Sequence, residues 1–289
     1  MNRNMVVKKA SLFGILGNIF LLIIKGLIGF TTRSQSMIAD FFNSAGDVFS
    51  SFMTFIGNKI ASVPNDDDHN LGHGKAEYIY SMLISIVMLL TSLLVLKDSI
   101  LSIFFKKNSE FSIWLIVVCI ITILIKFTLY IYTNKMSKKL NNLLLKTNSL
   151  DHRNDCVLTT LNLLACLASL INLNYIDGLV GSIISIWLLF SSFKIFKESY
   201  DVLIDKSMNE EQRKEVYNII KKYDAIKKVT HFNSTPVGYR YQISFSIFVD
   251  GNMTTKESHA IADKLEKEIS DTLNDIYLTV IHVNPIAVK

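Results

Sequence analysis

Two short stretches place oxygen-bearing side chains four residues apart inside apolar sequence. In "ADFFNSAGDVFS" they are Asn43 and Asp47, with Asp40 about one turn earlier on nearly the same face; in "SLDHRNDCVL" they are Asp151 and Asp155. Residues i and i+4 share a helix face. A charge at mid-membrane costs about 2.5–3.5 kcal/mol even on the gentler insertion scale, so such groups usually face a cavity and work there. If the two helices face each other, the quartet forms an oxygen cage of three carboxylates and one amide carbonyl. The plainer alternative is a set of helix-end residues touching water. That alternative suits Asp151, close to the expected start of its helix, better than Asp47, which lies well inside its own.

The elements that must position these residues are read from hydropathy. The chain has 289 residues, half of them hydrophobic, and three prolines, with a mean hydropathy of +0.33. The apolar residues gather in blocks long enough to span a bilayer core, which takes about 20 residues as a helix. They lie near 10–31, 36–62, 76–101, 111–134, 148–172 and 176–196. The first is too long for a signal-peptide core and lacks a small-residue cleavage site close behind it, so it reads as a retained helix. The expected fold is a polytopic α-helical membrane protein, with a six-helix domain over residues 1–202 and a soluble α+β domain over 203–289.

Basic residues set the orientation. Arg3, Lys8 and Lys9 precede the first span; Lys135, Lys138, Lys139 and Lys146 flank the fourth connection; Lys194 and Lys197 follow the sixth span. With positive residues kept inside, both termini and the soluble domain are expected in the cytoplasm, and the protein in the cell membrane. The net charge of +5 is then accounted for by topology and anionic lipid headgroups, with no nucleic-acid partner required. Cys119, Cys156 and Cys166 show no paired spacing and read as small buried residues. Lys25 and Lys126, inside spans, read as snorkelling or cavity-lining side chains. His152 reads as a neighbour of the acids rather than a ligand.

Beyond residue 203 the pattern changes. "MNEEQRKEVYNIIKKY" is an amphipathic helix with Val216, Ile219, Ile220 and Tyr223 on one face. "GYRYQISFSIFVDG" alternates as a strand, with Tyr239, Tyr241, Ile243, Phe245 and Ile247 facing one way. "TPVG" before it reads as a hairpin turn closing a first strand around Lys228–Asn233. Thr254 and Glu257 form a capping box at the start of a second helix, and "IYLTVIHVNP" supplies the last strand. The order is α-β-β-α-β.

The oxygen quartet, the loop "DDDHNLGHGKAEY" and the α-β-β-α-β tail together resemble the cation diffusion facilitators, over nearly the whole chain. The resemblance implies a homodimeric exporter of divalent transition metals, with six helices per protomer, a cytosolic ferredoxin-like metal-sensing domain and coupling to proton counterflow. It implies no enzymatic activity and no tightly bound cofactor. Zinc-type members carry His or Asp, then Asp, on span two and His, then Asp, on span five. The matching positions here are Asn43, Asp47, Asp151 and Asp155, without a histidine. Imidazole suits zinc, whereas carboxylate and carbonyl oxygens suit manganese, a weak binder in the first-row series. The quartet also resembles the manganese-exporting branch, so manganese is the expected cargo, ahead of iron(II) and zinc. Three crowded carboxylates also attract protons when the metal leaves, so metal and proton compete for the same oxygens.

The resemblance further implies a second metal site at Asp66, His69 and His73; an acidic loop that merely draws cations to the entrance is the alternative. Lys75 and Asp205 match a charge interlock of the family. His231, His259 and His282 fall on metal-binding positions of the zinc-type tail, but Ser246 and Asn284 replace two partners there. Three rivals stand beside the manganese–proton exporter. A zinc or broad-range exporter would share the fold, and a passive divalent channel would ignore a pH gradient. A membrane metallohydrolase would need motifs such as HExxH or GxSxG, which the sequence lacks.

Overall fold

A computed structural model describes residues 3–32, 35–104, 113–169 and 174–286. Six long helices come first: α1 (Arg3–Thr32), α2 (Gln35–Ala61), α3 (Ala76–Phe104), α4 (Ile113–Leu140), α5 (Leu143–Ser169) and α6 (Asn174–Leu203). A smaller set follows: α7 (Glu210–Ile220), β1 (Lys228–Val237), β2 (Arg240–Asp250), α8 (Thr255–Thr272) and β3 (Ile276–Ile286). Two compact units result, Met1–Val63 with Ala76–Tyr200, and Pro64–Lys75 with Asp201–Lys289.

The helical unit is built inside out relative to a soluble bundle. Leu16, Leu27, Leu94, Leu124 and Phe190 are exposed, while Asn18, Ser51, Thr54, Ser85 and Asn148 are buried. Apolar side chains outward and small polar ones inward suit a lipid surround, where helices associate through close packing and internal hydrogen bonds. Among the described residues, Met5–Ile28, Ala76–Leu101 and Ile116–Leu140 are long and apolar enough to cross a membrane by length and composition. Helices α2 and α5 carry the acids and are more polar. Where α2 meets α3, a Cβ on Gly57 would lie 2.7 Å from the Tyr80 Cβ, so glycine sets that spacing.

The α4–α5 connection is tighter than the sequence reading expects. Helix α4 runs to Leu140 and α5 begins at Leu143, so Lys135, Lys138, Lys139 and Lys146 are helical residues rather than loop. The reversal is made by Asn141 in the left-handed region (φ 45). Asn142 then caps α5, its Oδ1 accepting the Leu145 N–H at 2.8 Å. The Glu77 carboxylate of α3 accepts the Leu143 N–H and pairs with Arg3 of α1 at 2.7 Å. Arg3 also donates to the Leu140 carbonyl at 3.2 Å. One buried acid thus staples the α4–α5 reversal to α1 and α3.

The second unit follows the expected α-β-β-α-β order. Its sheet runs β1-β2-β3, antiparallel between β1 and β2 and parallel between β2 and β3. Ile243, Phe245 and Ile247 of β2 pack against Val216, Ile219 and Ile220 of α7 and Leu265 and Ile269 of α8. Both helices open with capping boxes, Asn209 with Gln212 and Thr254 with Glu257. Only the glycine of "TPVG" lies in the hairpin turn: Thr235, Pro236 and Val237 stay paired with Gln242, Tyr241 and Arg240. Proline is tolerated because β1 is an edge strand. The reversal comes later, at Gly238 (φ 62) and Tyr239, which leaves Tyr239 exposed in the turn rather than in the strand.

Candidate metal centre

Asp47 on α2 and Asp151 and Asp155 on α5 each direct a carboxylate oxygen to a common point, the three oxygens lying within 4.8 Å of one another. All three residues are buried, at 6%, 8% and 7% exposure. Asp151 lies more than two turns inside α5, so the helix-end reading does not hold for it. The acids line a cavity of about 30 Å³ shared with Asn43, Ser50, Thr91, Ser92 and Asn154 and closed by Val87, Met88, Leu158 and Leu188. That is room for an ion or one or two waters. The side chain of Asp40 lies outside the described residues.

The neighbouring helices fix this geometry. Asn18 of α1 donates to the Asp47 carbonyl and to the Ser51 hydroxyl, each at 2.9 Å, holding α1 against α2 at the level of the cavity. The two-residue reversal makes α4 and α5 antiparallel neighbours. At 1.5 Å rise per residue, Lys126 lies about 21 Å back from the turn and Asp155 about 18 Å beyond it. They are therefore level. The Lys126 ammonium is fully buried and contacts Asp47 Oδ2 at 2.7 Å and Asp155 Oδ2 at 2.5 Å. Of the two readings of this lysine, snorkelling or cavity-lining, the first fails, because carboxylates inside the bundle offer its charge a closer partner than any interface. Lys25 is likewise buried, its Nζ donating to Ser44 Oγ at 3.0 Å. His152 is buried beside the site but is not part of the carboxylate group.

A second cluster, of Asp66, His69 and His73, lies in the loop between α2 and α3 and offers three ligand atoms within 4.8 Å of one another. The His69 backbone N–H donates to Asp66 Oδ1 at 2.7 Å and holds that carboxyl below its ordinary range, with the two imidazoles adding to the effect. The rings lie 4.3 Å apart between centroids. Nearby, Lys75 pairs with Asp205 at 2.6 Å. Gly74 packs on the β1–β2 turn so closely that a Cβ there would meet the Gly238 Cα at 2.9 Å.

The tail histidines are not brought together. His231 sits exposed at a bulge of β1 in the left-handed region, against the Thr230 hydroxyl. His259 faces Asp263 on α8 at 3.6 Å, and His282 faces Asn284 on β3 at 3.1 Å. Among the described residues none joins a three-ligand group within this chain.

Sequence reasoning did not name Ser50, Thr91, Ser92 or Asn154, which line the cavity, and it gave Lys126 no partner. Ser50 and Asn154 each stand three residues after an acid of the site, a spacing that could have found them. Lys126 was visible as an intramembrane charge, but its partner depends on where the α4–α5 turn falls.

Comparison with known proteins covers both units. A family model for the cation efflux transmembrane domain matches residues 11–204, and one for the cation efflux protein cytoplasmic domain matches 208–286. The manganese efflux system protein MneP of Bacillus subtilis is 28% identical over 290 residues, spanning 98% of this chain and 97% of MneP. The cation-efflux pump FieF of Shewanella oneidensis is 26% identical over 286 residues, spanning 98% and 95%. Among solved structures, the metal-bound C-terminal domain of the CzcD transporter from Thermotoga maritima is 26% identical, covering 27% of this chain and 94% of its own with a TM-score of 0.26.

Proposed function

The chain belongs to the cation efflux family of membrane transporters, and from that premise we propose that it exports manganese(II) from the cytoplasm in exchange for protons. The observation that carries this reading is the donor set. Asp47, Asp151 and Asp155 converge in a small cavity that Asn43 also lines. Hard oxygen donors suit manganese and reduce the advantage zinc gains from imidazole or thiolate. The manganese efflux relative supports the same choice. Three carboxylates would more than neutralise a divalent ion, leaving a formal charge of −1, and their crowding after release favours proton uptake, the basis for exchange.

The working unit is a homodimer with both termini in the cytoplasm, in keeping with the dimer expected of the family and the basic residues flanking the spans. Lys75 and Asp205 brace the loop after α2 against the C-terminal unit. The four site residues bind cargo, with Asp40 in a supporting position. Asp66, His69 and His73 form an accessory site at the entrance. That pair of imidazoles is a zinc-type donor set and supports the second reading, a broad-range exporter that also carries zinc.

The test is transport into proteoliposomes holding the full chain, with manganese or zinc and with or without a pH gradient. Gradient-dependent manganese transport, shifted toward zinc by Asn43→His, is the expected result. Equal transport of both metals by the wild type would replace the manganese reading with the broad-range one, and indifference to the gradient would point to a passive channel.

A further inference from the structure

We propose that Lys126 is a tethered competitor of the transported ion: its ammonium and the metal take turns on the same carboxylate oxygens, and its charge sets how tightly the metal is held. The inference rests on the proposed transport site. The ammonium contacts Asp47 Oδ2 and Asp155 Oδ2, which belong to two of the three residues that offer a divalent ion its ligands. The side chain has no exposure, so if it is pushed aside its charge must find another polar partner within the bundle. Lys126 belongs to α4 and the acids to α2 and α5, so the contact is made across three helices.

The electrostatics decide the order of events. A divalent ion on the remaining oxygens would sit a few ångströms from a fixed positive charge in a cavity with several apolar walls, where like charges repel far more than in water. Metal entry therefore requires the ammonium to leave the two oxygens, and its return helps to expel the metal. A site of three carboxylates alone would hold a divalent ion tightly and release it slowly. The lysine turns that trap into a carrier, with weaker binding and faster release. Its reach is what makes the exchange workable, because a four-carbon stem can swing by several ångströms while its helix stays in place.

The experiment compares the full-length wild type with Lys126→Met, Lys126→Arg and Asp47→Asn, using manganese binding by titration calorimetry in detergent and transport kinetics in proteoliposomes. Lys126→Met is expected to bind manganese about tenfold or more tightly, since a repelling charge is gone. Its KM and maximal rate are both expected to fall, a split that a loss of structure alone would not produce. Lys126→Arg, which keeps the charge, is expected to keep the weaker affinity. Unchanged or weaker binding by a folded Lys126→Met overturns the inference while leaving the site intact. Unchanged binding by Asp47→Asn overturns both the inference and the transport site beneath it. Should Lys126→Met fail to fold, a manganese-loaded structure of the wild type decides. The Lys126 Nζ is expected beyond hydrogen-bond reach of Asp47 and Asp155, and an ammonium still on both oxygens beside the metal overturns the inference.

Discussion

Replacing Glu77 should loosen the helical unit by an amount that its contacts allow to be worked out. Its carboxylate accepts the Leu143 N–H at the start of α5 and pairs with Arg3, with side-chain exposures of 3% for the acid and 20% for the arginine. Glu77→Ala leaves a buried N–H without its acceptor, a loss of about 1–3 kcal/mol. It also strands a guanidinium, and breaking a fully buried pair costs about 3–5 kcal/mol. Arg3 is partly hydrated and keeps the carbonyls of Leu140 and Asn141 at 3.2 and 3.4 Å, so the second cost falls well below that range. The sum is about 2–4 kcal/mol. Glu77→Gln retains an acceptor for Leu143 and loses only the charge, for about half as much. Unfolding of the detergent-solubilised protein in a denaturant series, followed by tryptophan fluorescence and checked by size exclusion, measures both. The order wild type, Gln, Ala is expected, with Arg3→Ala adding little on top of Glu77→Ala. Equal stability of Ala and wild type, or a Gln variant weaker than Ala, would refute the idea that this acid caps α5.

Other expectations follow from single contacts. Gly74→Ala forces apart two backbones that already touch, and hydrogen exchange of residues 64–75 should quicken while the sheet stays protected. Lys75→Met breaks a half-exposed ion pair and should change stability by no more than about 1 kcal/mol, so a large loss of transport in that variant would reflect coupling rather than unfolding. Thr254→Ala removes the cap of α8 and should cost the C-terminal unit about 1 kcal/mol, read as a lower denaturant midpoint. Acid should weaken that unit too. Lys222 holds the Glu268 carboxyl below its ordinary range and the Thr254 backbone does so for Glu257. A carboxyl depressed in the folded state adds stability above its unfolded value, and that stability is lost as pH falls through the folded one. The loss should therefore appear below about pH 4.5, the usual glutamate range. Lys222→Met should flatten it.

Much of this was legible in the sequence because two periodicities are hard to mistake. Oxygen-bearing side chains four apart in apolar runs marked the candidate site residues on α2 and α5, and strict alternation marked β2 with Ile243, Phe245 and Ile247 inward. What was not legible depended on boundaries. Lys135, Lys138, Lys139 and Lys146 suggested a long loop, which hid the two-asparagine reversal at Asn141 and Asn142 and with it the level match of Lys126 and Asp155. "TPVG" has the composition of a turn, yet the ladder runs through its first three residues because an edge strand tolerates Pro236. Contacts such as Glu77 with Leu143 link residues far apart in sequence, and neither spacing nor hydropathy encodes them.

The division of the chain at Val63, Lys75 and Tyr200 has a practical consequence. The stretch Pro64–Lys75 leaves the helical unit, packs as part of the other one and returns, so the polypeptide crosses between the two bodies three times. A stop codon after residue 202 would not cleanly excise one body. It would remove Gly238 and Asp205, the neighbours of Gly74 and Lys75, and leave a twelve-residue segment with half its scaffold gone. Conversely, residues 203–289 expressed alone would lack the segment that completes their surface. Three covalent crossings also remove freedom that a single linker would leave. Swivelling of one body must be absorbed at all three seams, and at the first of them Pro64 has one backbone torsion already locked.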